Sequence, residues 1–142
     1  MYSRDTSNSA DIIDSRNVID RIQELESERG ILQDAVDESP DDTGYKQDLA
    51  DWNGDYADEL HNLKTLAEEA GQYSSEWPDG VCLIRDTYFA EYAEEEAFSI
   101  GAIDRDVNWP FNHIDWEAAA KELKQDYSCF DYDGEDYWVR ST

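Results

Sequence analysis

"YKQDLADWNGDYADELHNLKTLAEEAG", residues 45–71, decides the architecture. Tyr45, Leu49, Trp52, Tyr56, Leu60, Leu63, Ala67 and Ala70 recur mostly at spacings of three and four, which places them on one stripe of an α-helix. Gly71 follows as a C-terminal cap, so a helix is expected over residues 46–70, about 38 Å long. Asn53-Gly54 is its weak point, because a glycine inside a helix costs about 1 kcal/mol relative to alanine and Asn-Gly also favours a turn. A bend or break there competes with a continuous helix. Beside the apolar stripe run Asp48, Asp51, Asp55, Asp58 and Glu59, with no Lys or Arg between residues 47 and 63.

On the N-terminal side, "DSRNVIDRIQELESERGILQDAVDES" (14–39) places Val18, Ile22, Leu25, Arg29, Leu32 and Val36 in a heptad rhythm with one polar member. Asp14 or Ser15 can cap its start. "ESPDDTG" (38–44) stops it and reverses the chain. Two amphipathic helices joined by so short a connection form an antiparallel helical hairpin over residues 11–71, after a polar, flexible N-terminus of residues 1–10. The same stripe would serve a homodimer.

On the C-terminal side, "GQYSSEWPDG" (71–80) reads as the loop that opens a second, compact α+β unit over residues 80–142. "VCLI" (81–84) suits a short buried strand or an extended lead-in. "DTYFAEYAEEEAFSIG" (86–101) starts at Asp86 or Thr87, carries Tyr88 or Phe89, Tyr92, Ala93 and Ala97 on a helical stripe and stops at Gly101. "AIDRDVNWPFNH" (102–113) is a long connection whose bulky apolar residues are expected to pack over the core. A helix beginning at Asp115 directs Ala119, Leu123 and Tyr127 inward. "SCFDYDGEDYWVR" (128–140) alternates around Asp133-Gly134, a strong β-hairpin signal. The fold class is therefore α+β and predominantly helical, a helical hairpin followed by a small α+β unit with a C-terminal β-hairpin.

Charge dominates the composition: 36 acidic against 11 basic residues, a net of -25 in 142 residues. With 13% aromatic residues the chain can nevertheless bury a core, which separates it from disordered acidic tails. Solubility asks for a net charge of only about 2 to 8 in magnitude, and the excess costs stability by self-repulsion. Direct nucleic-acid binding is disfavoured, since phosphate contacts need clustered Lys and Arg. The natural partners of such a surface are basic. No apolar run approaches the ~18 residues of a membrane span, and a cytoplasmic location is expected. Cys82 and Cys129, without CxxC spacing, read as reduced core residues.

Catalysis finds no support: His61 and His113 have no nucleophile beside them, and neither a phosphate-cradling loop nor a GxSxG sequence occurs. "DYDGED" (131–136) lacks the ligand spacing of a calcium loop. No enzyme activity, metal or cofactor is expected. The remaining signal is the acid pattern. Asp20, Glu24 and Glu28 on the first helix, and Asp48, Asp51, Asp55 and Asp58 or Glu59 on the second, make rows with steps of about 4.5 to 6 Å along the axis, and Glu91, Glu94 and Glu95 on the third are added to them as candidates. Phosphates along one nucleic-acid strand are about 3.4 Å apart along the axis. These eleven carboxylates are the candidate partner-binding residues.

"EYAEEEAFSIGAI" (91–103), "WPFNHIDWEAAAKELKQDY" (109–127) and the tail "YWVR" (137–140) resemble the C-terminal part of antirestriction proteins of the ArdA type, over about residues 88–140. The resemblance implies a phage or plasmid protein that mimics DNA in the host cytoplasm and blocks restriction or related defence enzymes without catalysis. Asp115, Glu117, Glu122 and Asp126 are the matching acidic positions. The helical hairpin departs from that family's other domains. The expected function is an acidic DNA-mimic inhibitor that fills the basic DNA-binding groove of a host restriction enzyme or CRISPR effector. The alternative is a non-catalytic coiled-coil interaction or scaffold protein.

Overall fold

Strand β1 (Ile12–Asp14) lies just ahead of the first helix and is invisible to the helical periodicity that follows it. The computed structural model, which describes residues 5–104, 106, 108–110 and 113–142, continues with α1 (Ser15–Glu38), α2 (Thr43–Tyr73), β2 (Cys82–Arg85), α3 (Phe89–Ser99), α4 (Trp116–Leu123), β3 (Tyr127–Tyr132) and β4 (Glu135–Arg140). The strands form one antiparallel sheet in the order β1-β2-β4-β3.

Strand alternation divides the sheet into two apolar faces. Ile13, Leu83, Phe130, Tyr132, Tyr137 and Val139 pack against Val18 and Leu25 of α1 and Leu60, Leu63, Leu66 and Ala70 of α2. Ile84 and, around it, Trp138 and Tyr127 face Phe89 and Ala93 of α3 and Ala120 of α4. The sheet is thus sandwiched between the α1/α2 hairpin and the α3/α4 pair. The hairpin and the strands that follow it share one core.

Local chemistry sets the element ends. Asp14 caps α1 by accepting from the Arg16 amide at 2.9 Å, and Asp42 caps α2 by accepting from Tyr45 at 3.1 Å. Ser15, fully buried, accepts from the Val81 amide at 2.8 Å and donates to the Trp77 carbonyl at 2.9 Å, pinning the α2–β2 connection to the base of α1. At the β3–β4 turn Asp133 and Gly134 both have positive φ, 49° and 88°, the two-residue turn that matches strand twist. Residues of the N-terminal lead-in are fastened too: Ala10 is buried, and the Thr6 and Ala10 carbonyls accept from the Tyr132 and Tyr137 hydroxyls.

Several details differ from the sequence reading. Helix α2 runs unbroken through Asn53-Gly54, because Trp52 and Leu60 on either side are anchored in the core. It also passes Gly71 and stops at Tyr73, where the Tyr73 carbonyl accepts from the Thr142 amide at 2.9 Å. Tertiary contact therefore replaces the glycine cap. Helix α4 ends at Leu123, so Tyr127 belongs to β3, and Ala120 rather than Ala119 is fully covered. Cys82 is half-buried, but Cys129 is exposed and not a core residue, since it faces away from the α1/α2 hairpin that buries Phe130 and Tyr132, on a side of β3 that is covered at Tyr127 and open beyond it; both are free thiols. In the 102–113 connection, Trp109 is 75% exposed, against the expected packing over the core. Arg105, Val107, Phe111 and Asn112 of that connection lie outside the described residues. No helix among the described residues is long and apolar enough to cross a membrane.

Candidate acidic interaction face

Helices α1 and α2 together with their connection carry 16 acidic and 5 basic residues. Their distribution around the hairpin follows from its register. Arg21 Nε donates to Glu59 at 2.6 Å, and Trp52 Nε1 donates to Glu28 at 3.2 Å. Both contacts cross the same side of the seam, and in both the two residue numbers add to 80. They place Glu24 and Glu28 of α1 beside Glu59 and its neighbours on α2.

At 100° per residue, Asp48, Asp55 and Glu59 fall within about 40° of one another around α2, with Asp51 and Asp58 about 70° further from the seam. Asp48, Asp51, Asp55 and Asp58 are all exposed. Asp51 accepts from Gln47 Nε2 at 2.8 Å, and Asp48, Asp55 and Asp58 have no hydrogen bond or ion pair among the described residues. Arg21 is the basic side chain that meets this face: it bridges Glu59 and Glu24, and Glu59 raises its pKa further above its ordinary value. Its guanidinium also lies 5.9 Å from the Tyr56 ring centroid.

The acidic face continues into a cleft of 660 Å³ at the base of the hairpin. Asp58, Glu59 and Glu24 line it from the helices, Asp5 from the N-terminal segment and Asp133 from the β-turn. Asn8 Nδ2 donates to the Asp133 carbonyl at 2.9 Å and fastens the two outer walls together. The opposite side of the hairpin is of mixed sign. There Lys64 pairs with Glu26 at 2.8 Å, and both line a shallow hollow with Arg29.

Of the carboxylates singled out in the sequence, Glu24, Glu28, Asp48, Asp51, Asp55, Asp58 and Glu59 share one face of the hairpin. Asp20 is exposed and lies about 40° further round α1 than Glu24. Glu91, Glu94 and Glu95 are not brought to this face, because α3 packs on the other side of the sheet. Glu95 accepts from the Tyr88 hydroxyl at 3.1 Å. Asp115 caps α4, accepting from the Ala118 amide at 3.1 Å. Asp5 and Asp133 escaped sequence reasoning, since they join the face only through folding. Asp5 is 53 residues from Asp58 in the chain.

Near α3 the charge is structural. Asp86 accepts from Lys124 Nζ at 2.8 Å and from Trp138 Nε1 at 2.9 Å, and these two donors hold its carboxyl below the usual range. Lys124 in turn lies over the Trp138 and Phe89 rings, 4.8 and 5.2 Å from their centroids. No group of three or more His, Cys, Asp or Glu side chains suited to a metal ion occurs among the described residues. Comparison with family models, with curated proteins and with solved structures finds no match to the chain.

Proposed function

We propose that this protein is a non-catalytic inhibitor that imitates the charge of DNA and fills the basic nucleic-acid groove of a host defence complex, a restriction enzyme or a CRISPR effector. The observation that carries the reading is the row geometry of one hairpin face: seven carboxylates meet one arginine there, while Lys64 and Arg29 lie on the other side, and the rest of the hairpin, with nine acids and four bases, is also net acidic. From Asp48 to Glu59 the row spans about 17 Å, over which duplex DNA carries about ten phosphate charges. The hairpin face offers a net of about six, which is enough to compete for the same lysines and arginines when shape is complementary. The likeness of residues 88–140 to ArdA-type antirestriction proteins supports the same reading.

The test is competition. A restriction complex or CRISPR effector that binds the protein should release it as duplex DNA is added, and affinity should fall steeply as salt rises from about 50 to about 500 mM. Binding indifferent to both DNA and salt would sink the proposal.

A coiled-coil scaffold is the second reading, and the exposed Ile31 and Tyr45 near the hairpin tip favour it. It cannot use Val18 and Leu25, which are fully buried within the chain. Sedimentation at several concentrations separates the two: the scaffold assembles through the tip, whereas the mimic acts as a monomer.

A further inference from the structure

Strand β3 is an edge of the sheet and pairs with β4 alone. The two-residue turn makes Tyr132 and Glu135 the closing hydrogen-bonded pair, and in the same register the Ser141 amide donates to the Asp126 carbonyl at 2.9 Å. Backbone groups of Ser128, Phe130 and Tyr132 therefore point at β4, and those of Cys129 and Asp131 point outward. The Tyr127 carbonyl points outward with them, while its amide turns back to the Lys124 carbonyl. The amides and carbonyls of Cys129 and Asp131 and the Tyr127 carbonyl have no hydrogen-bond partner among the described residues. Such a row is a template for another strand.

Charge decides which strand it suits. Asp131 lies directly opposite Asp136 on β4; both are exposed and neither has an ion pair among the described residues. Like charges so placed repel, and a cation beside them would relieve the strain. On the same face Cys129 is exposed next to the half-buried Trp138, and Arg140, exposed and also without an ion pair among the described residues, lies opposite Tyr127. A strand laid along β3 thus meets an anionic position, an apolar one and a cationic one at alternate residues. A second copy would bring the same aspartates, in a chain of net -25, against an equal charge, which opposes that pairing.

We infer that the outer edge of β3 takes a basic extended segment of a partner protein as a fifth strand, with Lys or Arg opposite Asp131, an aliphatic residue opposite Cys129 and no cation opposite Tyr127. The backbone groups supply affinity and the side chains supply register. A partner with a basic nucleic-acid groove can offer such a segment, yet the pairing does not rest on the DNA-mimic reading. It uses the sheet edge, not the hairpin face.

The experiment uses the full chain and the blocked peptide Thr-Lys-Thr-Val-Thr-Thr-Thr, which in antiparallel pairing puts Lys opposite Asp131 and Val opposite Cys129. In the free chain the Cys129 and Asp131 amides should exchange rapidly while those of Phe130 and Tyr132 are protected; protection at Cys129 and Asp131 as well overturns the open edge. With peptide in excess, exchange at Cys129 and Asp131 should slow roughly tenfold or more. The fully N-methylated peptide, equal in charge, should have no such effect. Moving Lys one residue along turns it to the other face and should weaken binding about threefold or more. Cys129→Pro, whose nitrogen points outward, should keep its fold and lose about tenfold in affinity. Equal binding by the N-methylated peptide, or by a folded Cys129→Pro, means that charge alone holds the peptide and overturns the added strand. Self-association abolished by Cys129→Pro, without peptide protection, gives the edge to a second copy and overturns it equally. None of these results touches the competition assay with DNA, which judges the mimic reading separately.

Discussion

Changing Asp48, Asp51, Asp55 and Asp58 together to Asn separates the stability of this protein from its proposed activity. The four side chains are exposed, and the Gln47 contact to Asp51 survives because Asn keeps an accepting Oδ1. Asp and Asn have similar helix propensities, and all four positions lie beyond the first turn of α2, so the helix dipole contributes little. What changes is repulsion. The change removes four neighbouring like-charge pairs at spacings of three and four, Asp48/Asp51, Asp51/Asp55, Asp55/Asp58 and Asp55/Glu59, each costing about 0.2 to 0.5 kcal/mol. The variant should therefore be more stable by about 1 kcal/mol, a rise of about 3 °C in melting temperature for a chain of this size. The gain should shrink as the screening length falls from about 10 Å at 0.1 M salt to about 3 Å at 1 M. Thermal melts at both ionic strengths measure this, and inhibition of the target complex is assayed in parallel. Stabilisation with inhibition abolished is the expected pair of results. A melting temperature lowered by several degrees would show that the row supports the fold, and full inhibition by a stabilised variant would refute the role of its charge.

Three further outcomes follow from the core and its charges. Ser15→Ala should destabilise by roughly 2 kcal/mol, read as a lower urea midpoint, because the part-buried Val81 amide and Trp77 carbonyl both lose their partner. Arg16 holds Asp14, and Lys124 with Trp138 holds Asp86, below the ordinary carboxylate value of 3.8; these pairs contribute fully above that pH and lose their contribution as pH falls below it. Denaturation midpoints should accordingly depend less on pH between 4 and 2 in Asp86→Asn than in the unmodified chain. Cys129, exposed at the sheet edge, should react with a thiol reagent in the native fold, while half-buried Cys82 should react much more slowly until the chain unfolds.

The long-period features of this fold are legible in the sequence. Leu60, Leu63 and Ala70 declare the α2 core face by spacing, although Tyr45 and Tyr56 of the same stripe are exposed and the buried Leu66 lies outside it, and Asp133-Gly134 announces the β-hairpin by turn chemistry. Strand β1 is not legible, because three residues are too few for a period and its pairing partner β2 is about 70 residues away. Gly71 misleads for a related reason: the contact that carries α2 past it comes from Thr142. Of the acidic face, the rows on each helix can be read from spacing. Which rows meet depends on the register set by Arg21 and Glu59, and on the sheet that separates α3 from the hairpin. Arg21 itself carries no sequence signal beyond an i, i+3 pairing with Glu24.

The strand order has a consequence for how the chain comes together during synthesis. Strand β4 is made after every other described element, yet it sits inside the sheet between β2 and β3. The two long helices can associate as soon as they are translated, since their contacts are local in sequence. The apolar side that they turn toward the sheet, Leu63, Leu66 and Ala70, gains Tyr137 and Val139 as neighbours only when residues 135–140 arrive. Rapid helical collapse followed by slower closure of long-range strand pairs is the expected order. Through that interval the heavy negative charge of the nascent segment keeps copies with uncovered apolar surface apart, a service to folding that operates before any partner is met.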